Sequence, residues 1–127
     1  MPRDPPLLAV VDDDADVRIA LVRLISSAGF AVESFATGTE FLHSIDRHVP
    51  DCLILDLHMP GMSGFDVQLA LARDPRANIP VVMITGQDSA ESRIRARDLG
   101  ARGYLAKPVE HEALLAAVEA AMRGQDQ

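Results

Sequence analysis

Three consecutive carboxylates, Asp12, Asp13 and Asp14, stand directly after an apolar run, and a lone Asp56 closes a second such run. Thr85 ends a third, and Lys107, the single lysine in a chain with eleven arginines, follows a short fourth. These are the residue types from which phosphoryl chemistry is built. A carboxylate attacks phosphorus to give an aspartyl phosphate, and catalysis of that transfer is mostly positioning plus neutralisation of the equatorial oxygens. Carboxylates gathered this way repel: two unit charges about 4 Å apart cost roughly 4 kcal/mol at an effective dielectric near 20. Lys107 can offset one charge, and a hard divalent cation held by carboxylate and carbonyl oxygens can offset two more. Asp56 is the better nucleophile, because it stands alone between the acidic run and the Thr85 and Lys107 stations.

That chemistry requires all four stations to meet at one edge of a fold. The runs 7–11, 52–55 and 81–84 are rich in Val, Ile and Leu without polar alternation, as strands buried on both faces of a parallel sheet are. The runs 31–35 and 103–106 are more polar or shorter and suit sheet edges. Segments of helical period separate them. From Asp16, Val17, Leu21, Leu24, Ile25 and Ala28 recur at three and four, and Gly29 closes the helix. A second helix opens at Thr37, with Glu40 at capping-box spacing, and buries Phe41, Leu42 and Ile45. A third begins near Ser63 with Phe65, Val67, Leu69 and Leu71 for its inner face. A fifth runs from about Glu110 through Leu114, Leu115, Val118 and Met122 to Gly124. The fourth, 89–99, offers chiefly Ile94 and Leu99 among arginines, acids and alanines, so its weak anchoring marks it as a movable element.

Five strands alternating with five helices predict an α/β, doubly wound, flavodoxin-like domain with a parallel sheet in the order 2-1-3-4-5. Chemistry in such sheets sits outside the carboxyl ends of the strands, at the switch point between the first and third. The four stations lie there.

Composition removes other classes. A length of 127 residues is one ordinary domain. A net charge of −7 argues against direct nucleic-acid binding through a basic footprint. One cysteine, Cys52, allows neither a disulfide framework nor an all-cysteine zinc site and suits a reducing cytoplasm. No apolar run is long enough to cross a membrane. His43, His48 and His111 lack metal-ligand spacing and read as surface residues, while Asp14 reads as a helix cap.

The residues resemble the receiver domain of two-component response regulators. The likeness covers nearly the whole chain: Val10 to Asp14 in the first loop; Leu55 to Gly64, with His58, Pro60 and Gly61, in the third; Val82 to Gly86 in the fourth; Gly100, Ala101 and Tyr104 to Pro108 in the fifth. Within the family the wording is most like receivers of the nitrogen-fixation regulator type. The resemblance implies Asp56 as phosphoacceptor, Asp12 and Asp13 as the acidic pair that places Mg²⁺, and the main-chain carbonyl of His58 as a further ligand. It implies Thr85 and Lys107 as switch hydroxyl and phosphate-pairing lysine, Tyr104 as the aromatic that turns inward with Thr85, and a cis bond before Pro108. The module would span 7–123, between a disordered tail at 1–6 and a tail or linker at 124–127.

The implied function is phosphorelay signalling. A sensor histidine kinase donates the phosphoryl group, and the surface of the fourth helix, fifth strand and fifth helix shifts to control an output domain, a downstream protein or a phosphorylation-dependent homodimer. It is no enzyme beyond its own Mg²⁺-dependent phosphorylation and dephosphorylation. Two other readings compete. A haloacid-dehalogenase-like phosphatase also uses Asp, Mg²⁺, Thr and Lys, but wants a second Asp two residues after the nucleophile; Asp56 is followed by Leu57 and His58, and only the first loop offers a partial match. A flavodoxin-like cofactor binder wants a glycine- and hydroxyl-rich phosphate cradle where this chain has three aspartates.

Overall fold

In the computed structural model, which describes residues 4–124, every apolar run becomes a strand. The elements are β1 (Leu7–Val11), α1 (Ala15–Ser27), β2 (Ala31–Phe35), α2 (Gly38–Ser44), β3 (Cys52–Asp56), α3 (Gly64–Ala72), β4 (Val81–Thr85), α4 (Ala90–Asp98), β5 (Gly103–Ala106) and α5 (His111–Gly124). All pairings are parallel, and the strand order is β2-β1-β3-β4-β5. The expected tails are partly outside the described residues, which omit 1–3 and 125–127. Pro6 accepts a backbone hydrogen bond from Ala31, so the β1–β2 ladder starts one residue before β1.

The two-residue period of a strand sends neighbouring side chains to opposite faces, and two cores result. Ala9, Val11, Leu53, Leu55 and Met83 pack with Phe41, Val67, Leu71 and Ala96 of α2, α3 and α4. Leu8, Val10, Ile54, Val82 and Ile84 pack with Leu21, Ile25, Leu114 and Val118 of α1 and α5. Each fully buried aliphatic side chain contributes about 1.5–3 kcal/mol, so the three central strands anchor the molecule.

Helix starts follow the polar residues before them. Asp14 accepts from the backbone N–H groups of Asp16 and Val17, and Ser63 with Asp66 forms a reciprocal capping box at α3. At α2 only half of that device forms, since Glu40 reaches the Thr37 hydroxyl instead of its backbone.

Two expected inner faces are corrected. Leu69 is exposed and Gln68 is buried in its place, because a helix groups 64, 67, 68 and 71, whereas 65, 67, 69 and 71 is a strand's period. On α4, Ile94 is 49% exposed and only Ala96 is buried. The fourth helix is therefore held by less apolar surface than its sequence offers.

Gly64 brings the start of α3 against the end of β3. A Cβ there would stand 2.7 Å from the Asp56 carbonyl oxygen and 2.9 Å from Leu57 Cα, both backbone atoms that cannot move aside cheaply. Gly64→Ala should destabilise the domain by about 1–3 kcal/mol through this overpacking. Urea unfolding checks it, and an unchanged midpoint would show that the loop absorbs the methyl group.

Candidate functional site

The β1–β3 register pairs Val11 with Leu55, so the residues that follow, Asp12 and Asp56, emerge side by side at the carboxyl edge. Asp12 is wholly buried and Asp56 is 2% exposed, while Asp13 faces solvent. Carboxylate oxygens of Asp12, Asp13 and Asp56 lie within 4.8 Å of one another. Backbone hydrogen bonds hold this corner. Asp12 N–H donates to Phe35 O, Asp14 N–H donates to Asp12 Oδ1, and the Arg18 guanidinium donates to Asp12 O at 2.8 Å. Arg18 was not legible as a site residue, because its contact is with main chain and arises only once α1 folds back over the loop.

Thr85 and Lys107 arrive from the other side. Leu57 N–H donates to Ile84 O, Thr85 pairs with Ala106 across β4 and β5, and Lys107 N–H donates to Thr85 O at 2.7 Å. The Lys107 ammonium reaches Asp12 Oδ2 at 3.0 Å and Asp56 Oδ1 at 3.3 Å. The Thr85 side chain is buried and its Oγ1 accepts from Gln87 N–H, which fixes the turn after β4. His58 is exposed in the loop beyond Asp56, and the Lys107–Pro108 bond is cis.

The charges show which groups are under tension. Burial first, and the Asp12 carboxylate second, push the Asp56 acid from its ordinary 3.8 up to about 7, against the pull of Lys107. Burial pulls Lys107 down, but Asp12 and Asp56 outweigh it and hold the ammonium more firmly protonated than usual. Three carboxylates and one ammonium leave a formal −2. Asp12 Oδ2 is buried and, although Lys107 lies beside it, has no well-formed hydrogen bond. An all-oxygen cluster with one unsatisfied buried oxygen and one solvent-facing member fits a hard divalent cation that keeps part of its water.

Tyr104 lies on β5 with its ring 4.9 Å beneath the Arg93 guanidinium of α4. Its hydroxyl is buried beside the Asp88 carboxylate but makes no well-formed hydrogen bond, where a half-exposed edge tyrosine usually wets that group. Burial first and the Asp88 carboxylate second hold it protonated. Asp88 also binds Arg93 at 2.8 Å, so the loop after β4, α4 and Tyr104 form one cluster. Cys52 is buried, its thiol pushed up to about 12 by burial, and it takes no part. His48 pairs with Glu33 at 2.7 Å, and His43 and His111 are exposed, all away from the acidic corner.

A doubly wound parallel sheet whose central strands end in buried carboxylates, with a lysine from the edge strand between them, defines an acidic-pocket α/β module. The model of the response regulator receiver domain matches residues 8–119, and the chain belongs to that family, the phosphoacceptor modules of two-component signalling. The chain is 38% identical over 117 residues to the response regulator protein TodT of Pseudomonas putida, covering 92% of this chain and 51% of that protein. It is 40% identical over 115 residues to nodulation protein W of Bradyrhizobium diazoefficiens, with 91% and 50% covered. A crystal structure of a putative response regulator from Chloroflexus aurantiacus superposes with a TM-score of 0.89 at 33% identity, covering 94% of this chain and 98% of that one. The chain thus spans about half the length of the curated relatives it matches. The module is a receiver domain, and none of its described helices is long and apolar enough to cross a membrane.

With a folded-state value near 7 against 3.8, Asp56 keeps a proton in the folded state that the unfolded chain has released between about pH 4 and 7. Its contribution to stability therefore falls as pH rises through that window. Asp56→Asn removes the effect, so in chelator it should melt several degrees above the parent, with the gap widening from pH 5 to 8. Thermal melts across pH check this, and a gap independent of pH would assign the gain to something other than ionisation.

Proposed function

We propose that the domain, over 7–123, takes a phosphoryl group from a sensor histidine kinase onto Asp56. The observation that carries this is the buried Asp12–Asp56 pair with Lys107 at 3.0 and 3.3 Å. An Asp56 oxygen attacks the phosphorus of a phosphohistidine, the P–N bond breaks, the imidazole leaves, and an acyl phosphate forms. Asp12, Asp13, Asp56 and the His58 main-chain carbonyl are the groups that would hold Mg²⁺. When bound, that ion neutralises carboxylate and phosphoryl charge and favours the ionised Asp56. Lys107 pairs with a phosphoryl oxygen as a compact, flexible point charge where Arg would be too broad.

The product carries more charge and more acceptor oxygens than the aspartate did. Thr85 Oγ1, now accepting from Gln87 N–H, turns to donate to the phosphoryl group, and the loop after β4 follows it. Tyr104, with its unsatisfied hydroxyl and its contact to Arg93, turns further inward as that loop moves. The α4–β5–α5 surface then changes toward an output domain, a downstream protein or a second copy. The setting is the cytoplasm, and the module neither binds DNA nor enters a membrane.

Incubation with a small acyl phosphate and Mg²⁺ should label the parent, and Asp56→Asn should lower labelling at least about a hundredfold. Undiminished labelling would place the phosphoryl group elsewhere. Lys107→Ala should fold and still accept label, yet lose the change in α4 amide exchange that labelling produces in the parent. A normal change in that variant would remove Lys107 from the switch.

A further inference from the structure

α4 has one buried residue, and that residue is the grip of an unusual contact. Gln68 of α3, 3% exposed, donates from Nε2 to the main-chain carbonyl of Ala96 at 3.0 Å. The partner is an acceptor, so the amide's orientation is settled by its chemistry. The same carbonyl accepts from Ala101 N–H at 2.9 Å, and Gly100 N–H donates to Arg97 O, with Gly100 at φ +106. This is a Schellman end to α4, and Gln68 holds its key carbonyl from the neighbouring helix. Arg95 of α4 also lies 4.2 Å over the Phe65 ring of α3. Among the described residues no buried side-chain hydrogen bond holds the other end. There, Ser89 caps the helix in solvent and Arg93 joins it to Asp88 and Tyr104.

We infer that Gln68 is a positioning residue: the pin at the carboxyl end of α4 about which the amino end of that helix swings when the loop after Thr85 moves. This rests on the reading of Asp56 and Thr85 given above. α3 leaves the Asp56 loop through the capped Ser63 turn and the close approach of Gly64 to the Asp56 carbonyl, so the pin is fixed to the same frame as the phosphoacceptor. One half of the carboxamide is free of partners, since Gln68 Oε1 is buried without a hydrogen bond. The contact therefore depends on a single N–H. Beside it, a cavity of about 130 Å³ between Gln68, Leu71, Asn78, Ile79, Leu99 and Gly100 leaves room for the helix end to move once released.

Amide hydrogen exchange on the whole chain distinguishes a pin from ordinary packing. Gln68→Met keeps the length and the apolar stem but removes the donor, and Leu71→Val serves as a packing control on the same helix. Without phosphodonor, Gly100 and Ala101 should exchange about tenfold faster in Gln68→Met, with the strand amides unchanged. In Leu71→Val, any increase should be spread through the domain. With acetyl phosphate and Mg²⁺, the parent's change should lie within 86–95, and in Gln68→Met it should extend to 96–101. Unaltered exchange at Gly100 and Ala101 in Gln68→Met, or a rise matched throughout the sheet, would overturn the pin. Labelling of Asp56 is followed separately by mass: its absence would overturn the phosphoacceptor reading, while the exchange without donor still judges Gln68.

Discussion

Two carboxylates that cannot both be comfortable hold the molecule's function. Asp12 and Asp56 stand at the ends of neighbouring central strands, each almost without solvent, and the β1–β3 register leaves them no way to separate. Water cannot screen them, so the repulsion is met by the one lysine of the chain, and the acidic cluster fits a cation beside it. The remaining site geometry follows from delivering that lysine. β4 must lie beside β3 and β5 beside β4, and the turn after β5 must start from Thr85 O, for the ammonium to reach both acids. A buried acid pushed up to about 7 is a poor structural residue.

The surrounding fold divides into a frame and a lever. β1, β3 and β4, with α1, α3 and α5, bury continuous apolar surface on both sides of the sheet. α4 is attached by Ala96, by the Gln68 contact and by two cation–aromatic pairs, Arg93 with Tyr104 and Arg95 with Phe65, and its exposed side carries Ile94 and arginines. Polar and ring contacts of this kind are directional and can be exchanged for others at small net cost, whereas a packed core is not continuously deformable. The buried Tyr104 hydroxyl, without a well-formed hydrogen bond, and the unpaired oxygen of Gln68 both border this helix. Incomplete polar satisfaction beside a helix that buries only Ala96 is in keeping with the movement proposed for α4.

Much of this was legible in the residues. The central strands announced themselves as apolar runs without alternation, since only a strand covered on both faces tolerates them, and the order of strands followed from which runs were polar. The acids, Thr85 and Lys107 were legible because each stood at a strand end. Inner faces of helices are less legible. In α3 the alternation Phe65, Val67, Leu69, Leu71 concealed the true face, which includes Gln68, and in α4 the largest apolar residue proved to be outside. Hydropathy alone cannot find a glutamine whose reason for burial is a carbonyl on another helix.

Sequence by itself determined the fold class, the edge at which the chemistry gathers and the identity of the residues brought there, because strand-end position and residue type are local properties. Only tertiary structure decided how those residues stand toward one another. That Asp12 is wholly buried while Asp13 is not, that Lys107 touches both acids, that Arg18 and Asp14 brace Asp12, and that Gln68 grips α4 all depend on register and on helix rotation. Register and rotation are set by packing between segments far apart in the chain. No local pattern records them, and they turn a set of reactive residue types into a site with a charge and a geometry.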